Sequence, residues 1–201
     1  MKKQIIVIHG GDTFDTYEDY MEFLKDREID FEEYRTSKIG WKKTLGGELG
    51  SEYEVITPTM PNKMNAQYAE WKIWFEKFIP HLEPEIMLLG HSLGGTFLAK
   101  YLSEDCFPKT IRATFLIAPA FDAVDADYSM GDFIVPESFD LFAKQGGRIF
   151  LYGSTDDPVV PPADLGKFSA KLPEATVRRF TDRGHFNQES FPELVEDIRD
   201  L

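Results

Sequence analysis

The chain carries a serine, a pair of aspartates and a histidine whose types and order are suited to nucleophilic chemistry. Ser92 lies at the centre of residues 90–94, GHSLG, which fit the pattern G-x-S-x-G. Asp156 and Asp157 follow it along the chain, and His185 follows them. A serine hydroxyl becomes a good nucleophile when a histidine removes its proton and a carboxylate orients that histidine. This order predicts attack on an acyl group through a covalent acyl-enzyme.

The residues around Ser92 predict a strand, a tight turn and a helix. The apolar run IMLL at 86–89 stops at Gly90, and TFLAKYL at 96–102 has the composition of a helix. In this context G-x-S-x-G holds a serine at the tip of a sharp bend with its hydroxyl projecting outward. A side chain at Gly90 or Gly94 would collide with the neighbouring strand or helix. Ser92 is therefore the predicted nucleophile.

The base must be one of four histidines. His185 follows the last predicted strand, on a loop that contains a glycine. His9 precedes a glycine turn and suits the shaping of that turn, whereas His91 adjoins the serine and suits a packing or supporting role. His81 stands at a predicted helix end and is expected at the surface. We therefore predict that His185 is the base.

Two neighbouring aspartates compete for the role of the acid that orients His185. Asp157 stands directly before Pro158, whose ring fixes the direction of the departing chain. Asp156 suits a turn in which an aspartate bonds its own backbone. We favour Asp157, and Asp156 remains the alternative.

An acyl transfer site also needs two N–H donors for the negatively charged oxygen of the tetrahedral intermediate. The residue after the nucleophile, Leu93, supplies the first. The second is expected from the loop after the first strand, where Gly11 lets the backbone approach closely, with Asp12 as the fallback. The alternative for this loop is an ordinary strand-to-helix turn.

The elements that must position these residues alternate between strands and helices. Apolar runs predict strands at 4–9, 53–57, 85–89, 111–118, 148–152 and 175–180. Helical spacing or composition predicts helices near 17–24, 41–49, 65–78, 93–103, 138–144, 164–171 and 192–201. Asn65 is expected to cap the third of these helices, and the charged stretch 26–38 is predicted to be a loop or a frayed helix.

This alternation predicts an α/β fold, with about six parallel strands and helices on both faces of the sheet. The whole chain, 1–201, is expected to form one domain. In such sheets the chemistry gathers at the carboxyl ends of the strands, where Ser92, Asp157 and His185 all fall. Apolar side chains near those ends are the candidate walls of a substrate pocket: Phe121, Met130, Phe133, Ile134, Met60 and Phe186. They favour a neutral, apolar acyl group.

Composition and charge exclude several other classes of function. The net charge of −13 argues against nucleic acid or an anionic membrane surface as a partner, since both attract basic faces. Nucleotide-binding glycine motifs and zinc motifs are absent from the sequence, so no cofactor and no metal are expected. Four acidic residues between the fourth strand and the next helix are expected to form a solvated loop: Asp122, Asp125, Asp127 and Asp132. The single cysteine, Cys106, fits a cytoplasmic protein.

The motif at Ser92, with Asp157 and His185 after it, resembles the α/β-hydrolase superfamily. Residues 153–158, GSTDDP, and 180–186, FTDRGHF, are similar to the small serine hydrolases that include retinoblastoma-binding protein nine. The resemblance is loosest at 26–50, where this chain carries extra length. It implies little or no lid, a Ser-Asp-His triad and the second aspartate as the acid, and it names no substrate. From the residues themselves we predict a carboxylesterase-like reaction on a small acyl substrate. The alternative is a binding module that keeps the fold without turnover.

Overall fold

The computed structural model describes residues 2–36, 39–124, 126 and 128–201. Within these residues six strands form one parallel sheet: β1 (Lys3–Ile8), β2 (Tyr53–Ile56), β3 (Glu85–His91), β4 (Thr110–Ile117), β5 (Arg148–Ser154) and β6 (Thr176–Phe180). Across the sheet the strands lie in the order β2-β1-β3-β4-β5-β6, and every neighbouring pair is parallel. The predicted fold class is confirmed, and the strand ends differ from the predicted ones by two residues at most.

Helices connect the strands. They are α1 (Tyr17–Asp26), α2 (Phe31–Thr36), α3 (Trp41–Leu49), α4 (Tyr68–Glu76), α5 (Leu93–Glu104), α6 (Asp140–Gln145), α7 (Pro162–Lys171) and α8 (Pro192–Arg199), with a short 3₁₀ helix at Ile79–His81. The charged stretch predicted as a loop or a frayed helix contains α2, and its last two residues, Ser37 and Lys38, lie outside the described residues. In the described ranges, no helix has the length and apolar character needed to cross a membrane.

The sheet is covered on both faces because successive strand residues point to opposite sides. In β1, Ile6 and Ile8 pack into a cluster with α4, α5, α6 and α7, whereas Ile5 and Val7 pack into a second cluster with α3 and α8. All four side chains are buried. A strand that is buried on both faces is a continuous run of apolar residues, and such runs predicted the positions of these strands.

The start of α4 differs from the prediction that Asn65 caps it. The helix begins at Tyr68, and its N-cap residue Gln67 makes no side-chain cap. Instead, the Tyr68 N–H donates to Asp132 Oδ1 at 2.7 Å, across 64 residues of sequence. Asn65 donates its own N–H to the carbonyl of Asn62 in the preceding turn. The predicted cap was wrong because the partner comes from a distant loop.

We expect Asp132→Ala to lower the free energy of unfolding by about 1 kcal/mol, since it leaves an N–H of the first turn of α4 without its acceptor. Asn65→Ala, the matched control, should change it by less than about half as much. Urea unfolding followed by circular dichroism measures both. Equal losses for the two variants would contradict the assignment of Asp132 as the cap.

Candidate active site

Ser92 occupies a strained turn between β3 and α5. Its backbone has φ 55° and ψ −128°, a conformation that non-glycine residues rarely adopt. A Cβ on Gly90 would lie 2.4 Å from the Gly94 carbonyl oxygen, and a Cβ on Gly94 would lie 2.3 Å from the Ile8 carbonyl oxygen. Both glycines are therefore required by close backbone approach. The result is the geometry of a nucleophile elbow, with the serine at the tip of the bend.

The turn after β1 lies against Ser92. A Cβ on Gly10 would come within 2.9 Å of the Ser92 Cβ and 3.4 Å of its Oγ. The Asp12 N–H donates to the Lys63 carbonyl at 2.8 Å, so this N–H is already used. In the described part of the chain, the N–H groups of Gly11 and Leu93 have no hydrogen-bond acceptor. Of the predicted donors, Gly11 and Leu93 are thus available and Asp12 is not.

His185 pairs with Asp157. The two Asp157 carboxylate oxygens lie 2.9 Å and 3.1 Å from His185 Nδ1. The exposed fractions of the two side chains are 11% for His185 and 3% for Asp157. The Val159 and Val160 N–H groups also donate to Asp157 Oδ1, at 2.8 Å and 3.0 Å, and fix the carboxylate. The structure brings the preferred aspartate to the histidine and holds it there.

Asp156 has a different set of partners. Its carboxylate accepts hydrogen bonds from the Ser154 hydroxyl and, at 3.0 Å, from the Gly184 N–H. Ser154 Oγ in turn accepts the Arg183 N–H at 3.2 Å. The Ser154 hydrogen bond lowers the pKa of the Asp156 carboxyl. Asp156 therefore ties the loop after β5 to the loop after β6 and does not contact the ring of His185.

His91 supports the loop that carries His185. The two imidazole rings are 5.0 Å apart between centroids, and His91 Nε2 lies 2.8 Å from the His185 carbonyl oxygen. Its other nitrogen, Nδ1, lies 3.1 Å from Lys42 Nζ. Burial, together with the nearby Lys42 charge, holds the pKa of His91 well below its usual range. The ring is therefore neutral at physiological pH.

The other two histidines are outside this arrangement. His9 Nδ1 lies 2.6 Å from the Gly10 carbonyl, and His9 Nε2 accepts the Met60 N–H at 2.8 Å. Burial lowers the pKa of His9, which keeps its ring neutral and able to accept this hydrogen bond. His9 thus joins the turn after β1 to the chain after β2. His81 is exposed at the end of the 3₁₀ helix.

A cavity of about 710 Å³ opens at Ser92. Its walls include three of the predicted pocket residues, Phe121, Met130 and Ile134. The complete lining is Gly11, Asp12, Thr13, Phe14, Asp15, Asp19, Phe23, Ser92, Leu93, Ala120, Phe121, Asp122, Ala123, Tyr128, Ser129, Met130, Gly131, Ile134, Val159 and Val160. A cavity of this size accommodates a small organic molecule.

Three other predicted pocket residues belong to the core and not to this lining. Met60, Phe133 and Phe186 are almost completely buried. Phe133 packs edge-on against Trp71, with ring centroids 5.3 Å apart. Phe186 packs beside Phe191 on the opposite face of the sheet. These residues were predicted to line the pocket because they lie near strand ends in the sequence. That position does not show whether a side chain points into the pocket or into the core.

One wall of the cavity, formed by Phe14 and helix α1, was not predicted from the sequence. Phe14 and Phe23 line the cavity and contact each other, with ring centroids 5.0 Å apart. The position of Phe14, directly after the first strand and its glycine turn, was a usable signal. Phe23 carried no such signal, because the apolar spacing of α1 indicated Met21 and Leu24 as its buried side chains. Both of these side chains are partly exposed. The described residues of 26–50 are absent from the cavity lining.

The acidic residues between β4 and α6 have partners within the protein. Asp122 accepts hydrogen bonds from Lys167 Nζ at 2.7 Å and 2.8 Å, and Asp132 caps α4. Asp125 and Asp127 lie outside the described residues. Among the residues that the structure describes, no three His, Cys, Asp or Glu side chains form a group that could hold a metal ion.

Comparisons with known proteins agree on one family and one fold. A family model described as serine hydrolase matches residues 34–198. Serine hydrolase RBBP9 of Rattus norvegicus is 25% identical over 162 residues, which are 81% of this chain and 84% of that protein. The ydeN gene product of B. subtilis has a TM-score of 0.69 at 16% identity, over 99% of this chain and 98% of that chain. The meta-cleavage product hydrolase CumD of Pseudomonas fluorescens has a TM-score of 0.64 at 13% identity, over 98% and 91%. These two structures share the α/β-hydrolase fold with this chain.

The burial of Lys42 predicts a pH-dependent contribution to stability. Burial lowers its pKa to about 8, whereas an unfolded lysine titrates near about 10.4. Between these values the unfolded state binds more protons, so the free energy of unfolding rises with pH. Relative to Lys42→Met, the wild type should gain about 2 kcal/mol between about pH 7 and pH 9.5.

Urea unfolding of the wild type and of Lys42→Met at each pH measures the difference in their free energies of unfolding. The contribution of tyrosine ionisation is common to both proteins and cancels in this difference. Lys43→Met, a change of the exposed neighbouring lysine, should track the wild type. A difference between wild type and Lys42→Met that does not vary with pH would contradict the lowered pKa.

Proposed function

The chain belongs to the serine hydrolase family, and we propose that it cleaves small carboxylic esters with a neutral, apolar acyl group. The observation that carries this proposal is the pairing of His185 with Asp157, together with a strained Ser92 that opens into a largely apolar cavity. The His185 Nδ1–H donates to the carboxylate, so Nε2 is left unprotonated and can accept a proton.

In the proposed reaction, Ser92 Oγ attacks the ester carbonyl carbon while His185 Nε2 takes the hydroxyl proton. The tetrahedral intermediate collapses, the bond to the leaving alcohol breaks, and His185 returns the proton to the alcohol oxygen. Water then attacks the acyl-enzyme, again giving its proton to His185, and the carboxylic acid leaves. Asp157 orients the imidazole and stabilises its protonated form.

The N–H groups of Leu93 and Gly11 are the proposed donors to the oxygen of the tetrahedral intermediate. Both lack an acceptor among the described residues, and both line the cavity together with Ser92. Leu93 is also the first residue of α5, whose amino end carries partial positive charge. Donors fixed before the reaction stabilise developing negative charge without any reorganisation.

The walls of the cavity support a neutral acyl group. Its carboxylates are Asp12, Asp15, Asp19 and Asp122, and among the described residues its lining includes no lysine, arginine or histidine. An anionic substrate would be repelled, whereas the phenylalanine, methionine, isoleucine and valine side chains of the lining favour an alkyl or aryl chain. The reaction needs no cofactor. A cytoplasmic location, expected from the single cysteine, stays a prediction.

We expect Asp157→Asn to lower kcat for a p-nitrophenyl ester by about 10³-fold or more, because an amide no longer selects the reactive tautomer of His185. Asp156→Asn is the matched control. Its amide oxygen can still accept from Ser154 and Gly184, so kcat should stay within about threefold of wild type. Steady-state hydrolysis measures both variants, and equal losses would contradict Asp157 as the acid.

A series of neutral esters with increasing acyl length tests the cavity. Each methylene that enters it should raise kcat/KM by about threefold to fourfold, since burial of one CH₂ contributes about 0.8 kcal/mol. Phe23→Ala should reduce this increment, because Phe23 lines the cavity. Leu24→Ala, on the same helix but outside the lining, should not. An increment that is the same in Phe23→Ala as in wild type would exclude this wall from acyl binding.

A further inference from the structure

The loop that carries His185, which we define as the base loop (residues 184–189), is held through its carbonyl groups. Helix α3 provides two of the donors: the Trp41 indole N–H donates to Phe186 O at 2.7 Å, and the Trp41 backbone N–H donates to Gln188 O at 3.1 Å. His91 Nε2 lies 2.8 Å from His185 O. Three carbonyl groups of this loop are thus held by groups outside it.

The base loop needs such support because its backbone is strained. Gly184 has φ 50° and Phe186 has φ 54°, so the residues on both sides of His185 adopt the left-handed region. Phe186 is not a glycine, and its side chain is fully buried. A conformation of this kind persists only where the surrounding contacts enforce it. The position of the His185 ring therefore depends on the groups that hold the carbonyls.

The contact of His91 with His185 depends on which nitrogen of His91 carries the proton. A lysine ammonium group donates hydrogen bonds and cannot accept them. Lys42 Nζ, at 3.1 Å, therefore requires an unprotonated Nδ1 on His91. A neutral imidazole carries its single proton on the other nitrogen, so Nε2 donates to the His185 carbonyl. The Lys42 ammonium, which can only donate, and the His185 carbonyl, which can only accept, thus stabilise the same His91 tautomer, and this tautomer holds the base loop.

We propose that Lys42 and His91 are positioning residues for His185: Lys42 strengthens the preference of His91 for the Nε2–H tautomer, and His91 holds the base loop by its hydrogen bond to the His185 carbonyl. This role rests on the proposed function, in which His185 is the base. Neither residue touches the substrate in this arrangement. Lys42 lies in the stretch 26–50, whose described residues contact the base loop through Trp41 and are absent from the cavity lining.

The contact should depend on pH through Lys42. Its pKa is lowered to about 8 by burial, and its ammonium lies 4.8 Å from the centre of the Trp41 ring. Once neutral, the amine can accept a hydrogen bond as well as donate one, so Lys42 no longer disfavours the opposite tautomer of His91. The titratable groups that act on His91 are Lys42, His185 and His9, and Asp157 faces His185.

Nitrogen NMR of the histidine rings tests the tautomer directly. In the wild type at neutral pH, we expect His91 to be protonated at Nε2 only, and to become a mixture of tautomers above the pKa of Lys42. Lys42→Met should show the mixture at every pH, whereas Lys42→Arg should keep the Nε2–H form into the alkaline range. Lys43→Met should match the wild type. A wild-type His91 protonated at Nδ1 would overturn the proposal.

Kinetics on a p-nitrophenyl ester test the consequence. Lys42→Met should lower kcat by about tenfold with KM nearly unchanged, since a misplaced base slows chemistry and not binding. Lys42→Arg should restore most of kcat, and Lys43→Met should leave it unchanged. Equal kcat in Lys42→Met and wild type would overturn the positioning role while leaving the proposed function intact.

Two further outcomes are informative. If Lys42→Met does not fold, the comparison of Lys42→Arg with wild type above the pKa of Lys42 decides, because only the arginine variant should hold its kcat there. If the wild type shows no turnover at all, the proposed function fails, and the positioning role that depends on it is overturned with it.

Discussion

The close approach of α5 to the carboxyl end of β1 is the constraint on which the site depends. Gly94 lies so near the carbonyls of Ile8 and His9 that any side chain at this position would displace the helix. The approach is possible because β1 and β3 are paired neighbours in the sheet. It places the amino end of α5, the strained Ser92 and the turn at Gly10 in one small volume. A shift of this helix would therefore separate Ser92 and the Leu93 N–H from the turn that carries Gly11.

The second half of the site is assembled across the sheet from the loops after β5 and β6. Asp157 is fixed by backbone N–H groups of its own loop, and the Asp156–Gly184 hydrogen bond sets one loop against the other. Helix α3 and His91 then hold the base loop through its carbonyl groups. His185 is thus positioned by contacts from three separate parts of the chain: the loop after β5, helix α3 and His91.

Much of this could be predicted from the sequence. Strands that are buried on both faces are continuous apolar runs, and these runs predicted the strands of the sheet. The glycine pattern around Ser92 predicted the elbow. The proline after Asp157 favoured that aspartate over Asp156, and the structure pairs Asp157 with His185. The contacts that could not be predicted join residues that are far apart along the chain. Asp132 capping α4, Phe23 lining the cavity and Lys42 contacting His91 each depend on how distant elements pack, for which local patterns carry no signal.

The proposed mechanism requires Ser92 to be a nucleophile that is activated within the folded protein. Reaction with a fluorophosphonate, followed by intact mass measurement, tests this most directly, because the reagent transfers its phosphonyl group to an activated serine and releases fluoride. We expect a single adduct on the wild type and none on Ser92→Ala, provided both variants are folded. A wild type without an adduct would contradict the account and favour a binding module without turnover, and an adduct on Ser92→Ala would assign the reactivity to another residue.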